Sequence, residues 1–119
     1  MNRKQIGTLG ETLAAQDYKK DGYMLLSRNY RTRYGELDLI LKKQGLLVFA
    51  EVKTRTAGAL IMGREAVDPH KQYRFILAVK RYLQQFKFSE YDMRFDVVEV
   101  ELQKNGRPVI QRIEDAFTL

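Results

Sequence analysis

The sequence predicts an α/β domain whose elements run in the order α-β-β-β-α-β-β. Three observations predict it. The chain has 119 residues, the size of one ordinary domain, so residues 1–119 are read as a single unit. Its composition, 45% hydrophobic and 30% charged, is globular rather than disordered or fibrous. Apolar residues recur at helical spacing in two segments, and five shorter runs of strand-forming residues lie between turn signals. No internal repeat or low-complexity tract interrupts this pattern.

The first element is a helix over Lys4 to Lys20, with Ile6, Leu9, Leu13 and Ala14 at helical spacing and Asp21-Gly22 as its stop. Gly7, Glu11, Ala14 and Tyr18 share one face of it. Gly7, Gly10 and Ala14 are small enough to let that helix approach a sheet closely. Tyr23 to Tyr30 reads as a short strand. Gly35 to Lys42 reads as a second, with Leu37, Leu39 and Leu41 alternating with Glu36, Asp38 and Ile40. Leu46 to Thr54, rich in Val and Phe, is a third. Arg55 to Val67 holds Gly58 and Gly63 without a clear period and is expected to be mostly loop. Asp68-Pro69 starts a second helix, with Asp as N-cap and Pro at the first helical position. Its apolar stripe is Phe75, Ile76, Val79, Leu83 and Phe86. Met93 to Leu102 is a fourth strand, Asn105-Gly106 a turn, and Val109 to Ile113 a fifth strand.

The chemistry lies between the second and third strands. With Gln44-Gly45 at the hairpin tip, Lys43 pairs with Leu46. The same antiparallel register sets Asp38 opposite Glu51 and Glu36 opposite Lys53. Opposite residues point to one face, so the two carboxylates would stand side by side with Lys53 one step along. A four-residue loop keeps this register and a three-residue loop breaks it. Side-by-side carboxylates repel, and a divalent cation removes the conflict. Mg²⁺ typically takes one or two carboxylates, several waters and a substrate phosphate. The same residues also fit an ordinary salt bridge between Glu51 and Lys53, with Asp38 on an exposed edge.

Composition excludes several alternatives. Without cysteine there is no disulfide framework, thiol nucleophile or zinc-thiolate site. A single histidine, His70, excludes His-cluster metal sites and argues against a Ser-His-Asp triad. With no apolar run near the length of a membrane span and a polar start at Met1 to Ile6, a soluble cytoplasmic protein without a membrane partner is expected. Lys and Arg total 21 against 15 Asp and Glu, a net charge of +6 concentrated in the first half of the chain. That balance suits a polyanionic partner.

Asp38 followed by Glu51-Val52-Lys53 resembles the D…ExK core of the PD-(D/E)xK nuclease superfamily, which includes restriction endonucleases and Holliday junction resolvases. Nearly the whole chain resembles the YraN family of small bacterial proteins. The likeness is carried by Gly7-x-x-Gly10-Glu11, Arg28-Asn29-Tyr30-Arg31, Gly35 to Ile40, Phe49 to Arg55, Glu65-Ala66-Val67 with Lys71-Gln72, and Arg94 to Val98. Leu37 stands where the superfamily often has proline. The resemblance implies a restriction-endonuclease-like fold, a central mixed sheet flanked by helices. It further implies a metal site of Asp38, Glu51 and the Val52 carbonyl, joined by Glu11 from the first helix, with Mg²⁺ or Mn²⁺ as the cofactor. Glu11, Asp38, Glu51 and Lys53 are the implied catalytic group. Read from the residues alone, Glu11 is first a solvated helix position, and a site role is compatible with its face.

Around this motif lie candidate nucleic-acid contacts. Arg28, Arg31 and Arg33 alternate with Tyr30 and Tyr34 just before it, and Arg55, Arg64, Lys71 and Arg74 follow it. Cations bind phosphates, and aromatic rings stack on exposed bases. Lys80 and Arg81 extend the charged face of the second helix. Gln72 heads that helix's apolar stripe and is expected to face inward, either holding water or substrate or simply lying at the core boundary. The expected function is a metal-dependent nuclease on DNA, branched or otherwise structured. The alternatives are a non-catalytic nucleic-acid-binding module with the same fold and a protein-interaction factor. Two symmetric cuts at a junction would suit a homodimer.

Overall fold

The computed structural model describes residues 1–57, 69–87 and 90–116. The segments run α1 (Arg3–Lys20), β1 (Met24–Arg31), β2 (Glu36–Lys43), β3 (Leu46–Thr56), α2 (Pro69–Gln85), β4 (Asp92–Leu102) and β5 (Val109–Ile113). This is the predicted order, with bounds moved by a residue or two. Helix α1 starts at Arg3 because Asn2 and Gln5 close a capping box, each side chain taking the other's backbone N–H. It stops where Gly22 takes φ 89°, a conformation glycine adopts freely. Strand β3 reaches Thr56, two residues into the expected loop. Gly58, Gly63, Arg64, Glu65-Ala66-Val67 and the expected N-cap Asp68 lie outside the described residues.

The strands form one mixed sheet in the order β1-β2-β3-β4-β5. All neighbours are antiparallel except β3 and β4, which run parallel from Leu46↔Asp92 to Thr56↔Leu102. Parallel neighbours need a long crossover, and α2 lies within it. The architecture, a mixed sheet flanked by two helices, is compatible with a restriction-endonuclease-like fold.

Alternation along the central strands gives the sheet two buried faces. Leu39, Leu41, Val48, Ala50, Val98 and Val100 pack against Ala14, Ala15 and Tyr18 of α1. Ile40, Leu47, Phe49 and Phe95 pack against Phe75, Ala78, Val79 and Tyr82 of α2. Two expectations are corrected here. The buried face of α1 is Gly10, Ala14, Ala15 and Tyr18, while Ile6, Leu9 and Leu13 are only half-buried. On α2, Ala78 and Tyr82 join the core; Ile76 and Leu83 are half-buried, and Phe86 falls past the helix end and is 47% exposed.

The close approach expected of α1 occurs at Gly10 and not at Gly7. A Cβ on Gly10 would sit 1.7 Å from Thr54 Oγ1 and 2.7 Å from Thr54 Cβ, whereas one on Gly7 would meet nothing within 4 Å. Gly10→Ala should therefore destabilise by roughly 1–3 kcal/mol, despite alanine's better helix propensity, because α1 must lift off β3. Gly7→Ala should be neutral or stabilising. Chemical denaturation of both variants checks this; equal responses would contradict it.

Asp96 is a fully buried carboxylate on β4. It accepts hydrogen bonds from Tyr18 Oη at 2.7 Å, from Arg94 Nε and Nη2 at 2.9 Å each, and from the Asp115 N–H at 3.1 Å. Burial and the adjacent Asp96 carboxylate hold the Tyr18 hydroxyl protonated far above the usual tyrosine range. Asp96 thereby ties α1, β4 and the turn after β5 to one point.

Candidate active site

The β2–β3 hairpin has the register read from the sequence, pairing Leu39↔Ala50 through Lys43↔Leu46. The ladder ends there. Asp38↔Glu51 and Glu36↔Lys53 are not partners in it, which corrects the expected pairing. One step beyond the last pair, Asp38 Oδ2 accepts the Val52 N–H at 2.8 Å. A side-chain carboxylate thus replaces a backbone carbonyl, leaving the Val52 donor satisfied while the strands part. Glu36 turns to β1 instead, where it lies opposite Arg31 and pairs with it at 3.7 Å.

Asp38 and Glu51 nevertheless line one cavity of about 220 Å³, together with Glu36 and with Lys71 and Arg74 of α2. Three carboxylates and two cations thus border a space the size of a small anion with its hydration. Gly35 seats the β1–β2 turn against α2. A Cβ there would stand 3.2 Å from the Arg74 carbonyl oxygen. Burial pushes the Asp38 carboxyl up to about 7; the Val52 N–H opposes this, and the charges of Glu11, Glu51 and Glu36 add to it. Lys53 follows Glu51 by two residues on β3, on the same side of the strand, and lies beside Glu99 of β4.

Glu11 approaches from the α1 side. It lines a different cavity, with Gly7, Val52, Thr54 and Arg55, and pairs with Arg28 at 3.7 Å. Its charge still reaches Asp38. Although three carboxylates border the Asp38 cavity, among the described residues no three acids or histidines are placed to hold a metal ion as a ready cage. The donor set still fits a hard cation of the Mg²⁺ kind, which needs only one or two carboxylates. Asp38 spends Oδ2 on the Val52 N–H, leaving Oδ1, and Glu51 shares its cavity. The suppressed ionisation of Asp38 is the conflict a cation would relieve. Asp38 and Glu51 would hold Mg²⁺ or Mn²⁺.

The candidate nucleic-acid residues divide into three groups. Lys71 and Arg74 border the Asp38 cavity, and Gln72 beside them is half-buried. Arg31, Arg33 and Tyr34 line a larger groove next to it. Arg28 and Arg55 are engaged in the fold: Arg28 donates to the Thr8 carbonyl at 2.7 Å besides pairing with Glu11, and Arg55 pairs with Glu99 and Glu101 at 3.6 and 3.7 Å. His70 is exposed at the start of α2. Tyr73 was not singled out from sequence, yet it lines the groove with Leu77, Lys80 and Arg81. The available signal was helical spacing: positions 73, 77, 80, 81 and 84 form the stripe opposite the buried one.

No helix among the described residues is long and apolar enough to cross a membrane. The chain is similar, over residues 10–100, to the family described as "Uncharacterised protein family UPF0102". It is 41% identical over 119 residues to a UPF0102 protein of Caldanaerobacter subterraneus, covering 98% of each chain. It is 43% identical over 117 residues to one of Syntrophomonas wolfei, covering 98% of this chain and 100% of the relative. For one of Alkaliphilus oremlandii the identity is 42% over 123 residues, with 98% and 100% covered. The matched span contains Glu11, Asp38, Glu51, Lys53 and Asp96. These names state a family and no reaction.

Proposed function

We propose that this chain, which belongs to the uncharacterised protein family UPF0102 and so bears out the YraN resemblance, is a metal-dependent nuclease. It would hydrolyse phosphodiester bonds of branched or otherwise structured DNA in the cytoplasm. The observation that carries the reading is the Asp38 cavity, where a carboxyl raised to about 7 shares a space of about 220 Å³ with Glu51, Lys71 and Arg74. Acids on one side suit a divalent cation, and cations on the other suit a phosphate. When bound, the ion would neutralise charge on the phosphate and lower the pKa of an attacking water. Lys71 and Arg74 would draw the phosphate to the cavity mouth. Lys53, two residues beyond Glu51 on the same side of β3, would orient the water or stabilise the charge that develops on phosphorus. Glu11 would add negative charge from the α1 side. Glu36, tied to Arg31, would hold the turn that borders the cavity.

The groove lined by Arg31, Arg33, Tyr34 and Arg81 beside the cavity favours a second reading, a non-catalytic nucleic-acid-binding module. Calorimetric titration with Mn²⁺ separates the two. The nuclease reading expects a saturable site in the wild type that Asp38→Asn and Glu51→Gln each weaken. The binding module expects no such site and salt-dependent DNA binding indifferent to metal. Incubating junction, flap and duplex DNA with Mg²⁺ or Mn²⁺ then shows which form is cut; a wild type that cuts none of them contradicts the proposal.

A further inference from the structure

Beside the Asp38 cavity runs a groove of about 870 Å³, at the upper end of ligand-pocket sizes. One wall is the β1–β2 turn and the other is the outer face of α2. Arg31, Arg33, Lys80 and Arg81 line it, and among the described residues none that lines it is acidic. Arg31 pairs with the rim acid Glu36 at 3.7 Å, and its side chain is 80% exposed. The groove is therefore strongly positive.

It also offers flat rings. Tyr34 is 41% exposed and Tyr73 62% exposed. They differ from Tyr30, whose hydroxyl donates to Gln85 and whose ring packs edge-on against Tyr82, giving it a structural duty. The turn carrying Tyr34 is pre-formed: Thr32 Oγ1 accepts the N–H groups of Tyr34 and Gly35 at 3.0 Å each, and Gly35 lies tight against Arg74. The Arg33 guanidinium covers the Tyr34 ring at 5.1 Å, a cation–π contact that strengthens stacking platforms. A pair of exposed rings, one on a pre-formed turn and one on a helix, among four cations is the combination that binds single strands, because every base has a π-face and every phosphate a charge. Intact duplex keeps its bases stacked inside and would use only the cations. An acidic peptide would leave the rings unused.

We propose that this groove holds an unpaired nucleic-acid strand, with bases stacked on Tyr34 and Tyr73 and phosphates on Arg31, Arg33, Lys80 and Arg81. The groove and the Asp38 cavity meet at the turn, where Arg33 and Tyr34 face one and Gly35 and Glu36 the other. A strand in the groove thus passes its backbone over the contact between Gly35 and Arg74 into the cavity. That last step, a preference for cutting where paired and unpaired strands join, rests on the nuclease reading; the binding does not.

The test is fluorescence anisotropy in EDTA with labelled single-stranded DNA, the same sequence in RNA, and blunt duplex DNA. Single strands should bind more tightly than duplex, and the DNA and RNA arms tell which strand the groove prefers. Tyr34→Ala with Tyr73→Ala should weaken single-strand binding on the order of tenfold or more, and the Tyr→Phe pair should retain it. Arg81→Gln should reduce the salt slope by about 0.7. The proposal is overturned if duplex binds as tightly as single strand, if the alanine pair changes nothing, or if polyglutamate competes as well as the oligonucleotide. Binding without cleavage in Mg²⁺ sinks the nuclease reading and leaves the groove standing. Cleavage with binding unmoved by the tyrosine variants does the reverse.

Discussion

At pH 8 and without divalent cations, Asp38→Asn should unfold at a higher temperature than the wild type while losing cleavage. The Asp38 carboxyl has a folded-state value of about 7 against 3.8 for the free group, burial being the main cause. A raised acid holds its proton longer in the folded protein than in the unfolded chain. Stability from that proton is complete below pH 4, declines as pH rises, and is lost above about 7. The difference is about three units, so the ionised side chain costs up to about 4 kcal/mol at pH 8. Asparagine keeps an acceptor for the Val52 N–H and removes the charge. The variant should gain several degrees at pH 8 and almost nothing at pH 4. Mn²⁺ should narrow the gap by stabilising only the wild type, by about 2.7 kcal/mol at a hundred times its dissociation constant. Paired melting curves at the two pH values, with and without Mn²⁺, measure all of this. An asparagine variant less stable than the wild type at pH 8 would mean that Asp38 is held for the fold rather than for chemistry.

Asp96→Ala should have the opposite sign and a similar size, a loss of about 3–5 kcal/mol. The side chain is fully buried and satisfies donors from Tyr18, Arg94 and Asp115. Removing it leaves the Arg94 guanidinium, with 18% of its side chain exposed, with Tyr23 Oη and the rim acid Glu114 as its hydrogen-bond and ion-pair partners among the described residues. Against the roughly 5–15 kcal/mol that holds an ordinary domain together, that loss approaches unfolding. Replacing both Asp96 and Arg94 by apolar residues of similar volume should cost much less, since no charge is then stranded. A urea-denaturation cycle over the two singles and the double tests this. Additive losses would show that the pair is not coupled.

The contrast between half-buried Asp38 and fully buried Asp96 explains what the sequence could and could not disclose. Element order was legible because strand alternation, Asp21-Gly22, Pro69 and Asn105-Gly106 are local signals that tertiary packing did not override. The register of β2 on β3 was legible down to Leu39 because the turn fixes it. The parting of the strands at Asp38 was not, since it depends on a side chain competing with the ladder for the Val52 N–H. Asp96 appeared only as part of a family-like string, and its partners Tyr18 and Arg94 meet it through contacts 78 and 2 residues apart. Arg28 and Arg55 looked like phosphate ligands because their acidic partners come from other elements. Tyr73 was hidden because one exposed aromatic on a helix carries no signal until the facing turn supplies Tyr34 and Arg33.

Acids and cations surround one cavity where two strands part, and the proposed chemistry takes place there. It is tested most directly by single-turnover cleavage of the preferred DNA in Mn²⁺, comparing the wild type with Asp38→Asn and Lys53→Ala under conditions where all three are folded. Each substitution should slow cutting on the order of a hundredfold or more. Rates within a few-fold of the wild type for both variants would contradict it and place any cutting activity elsewhere.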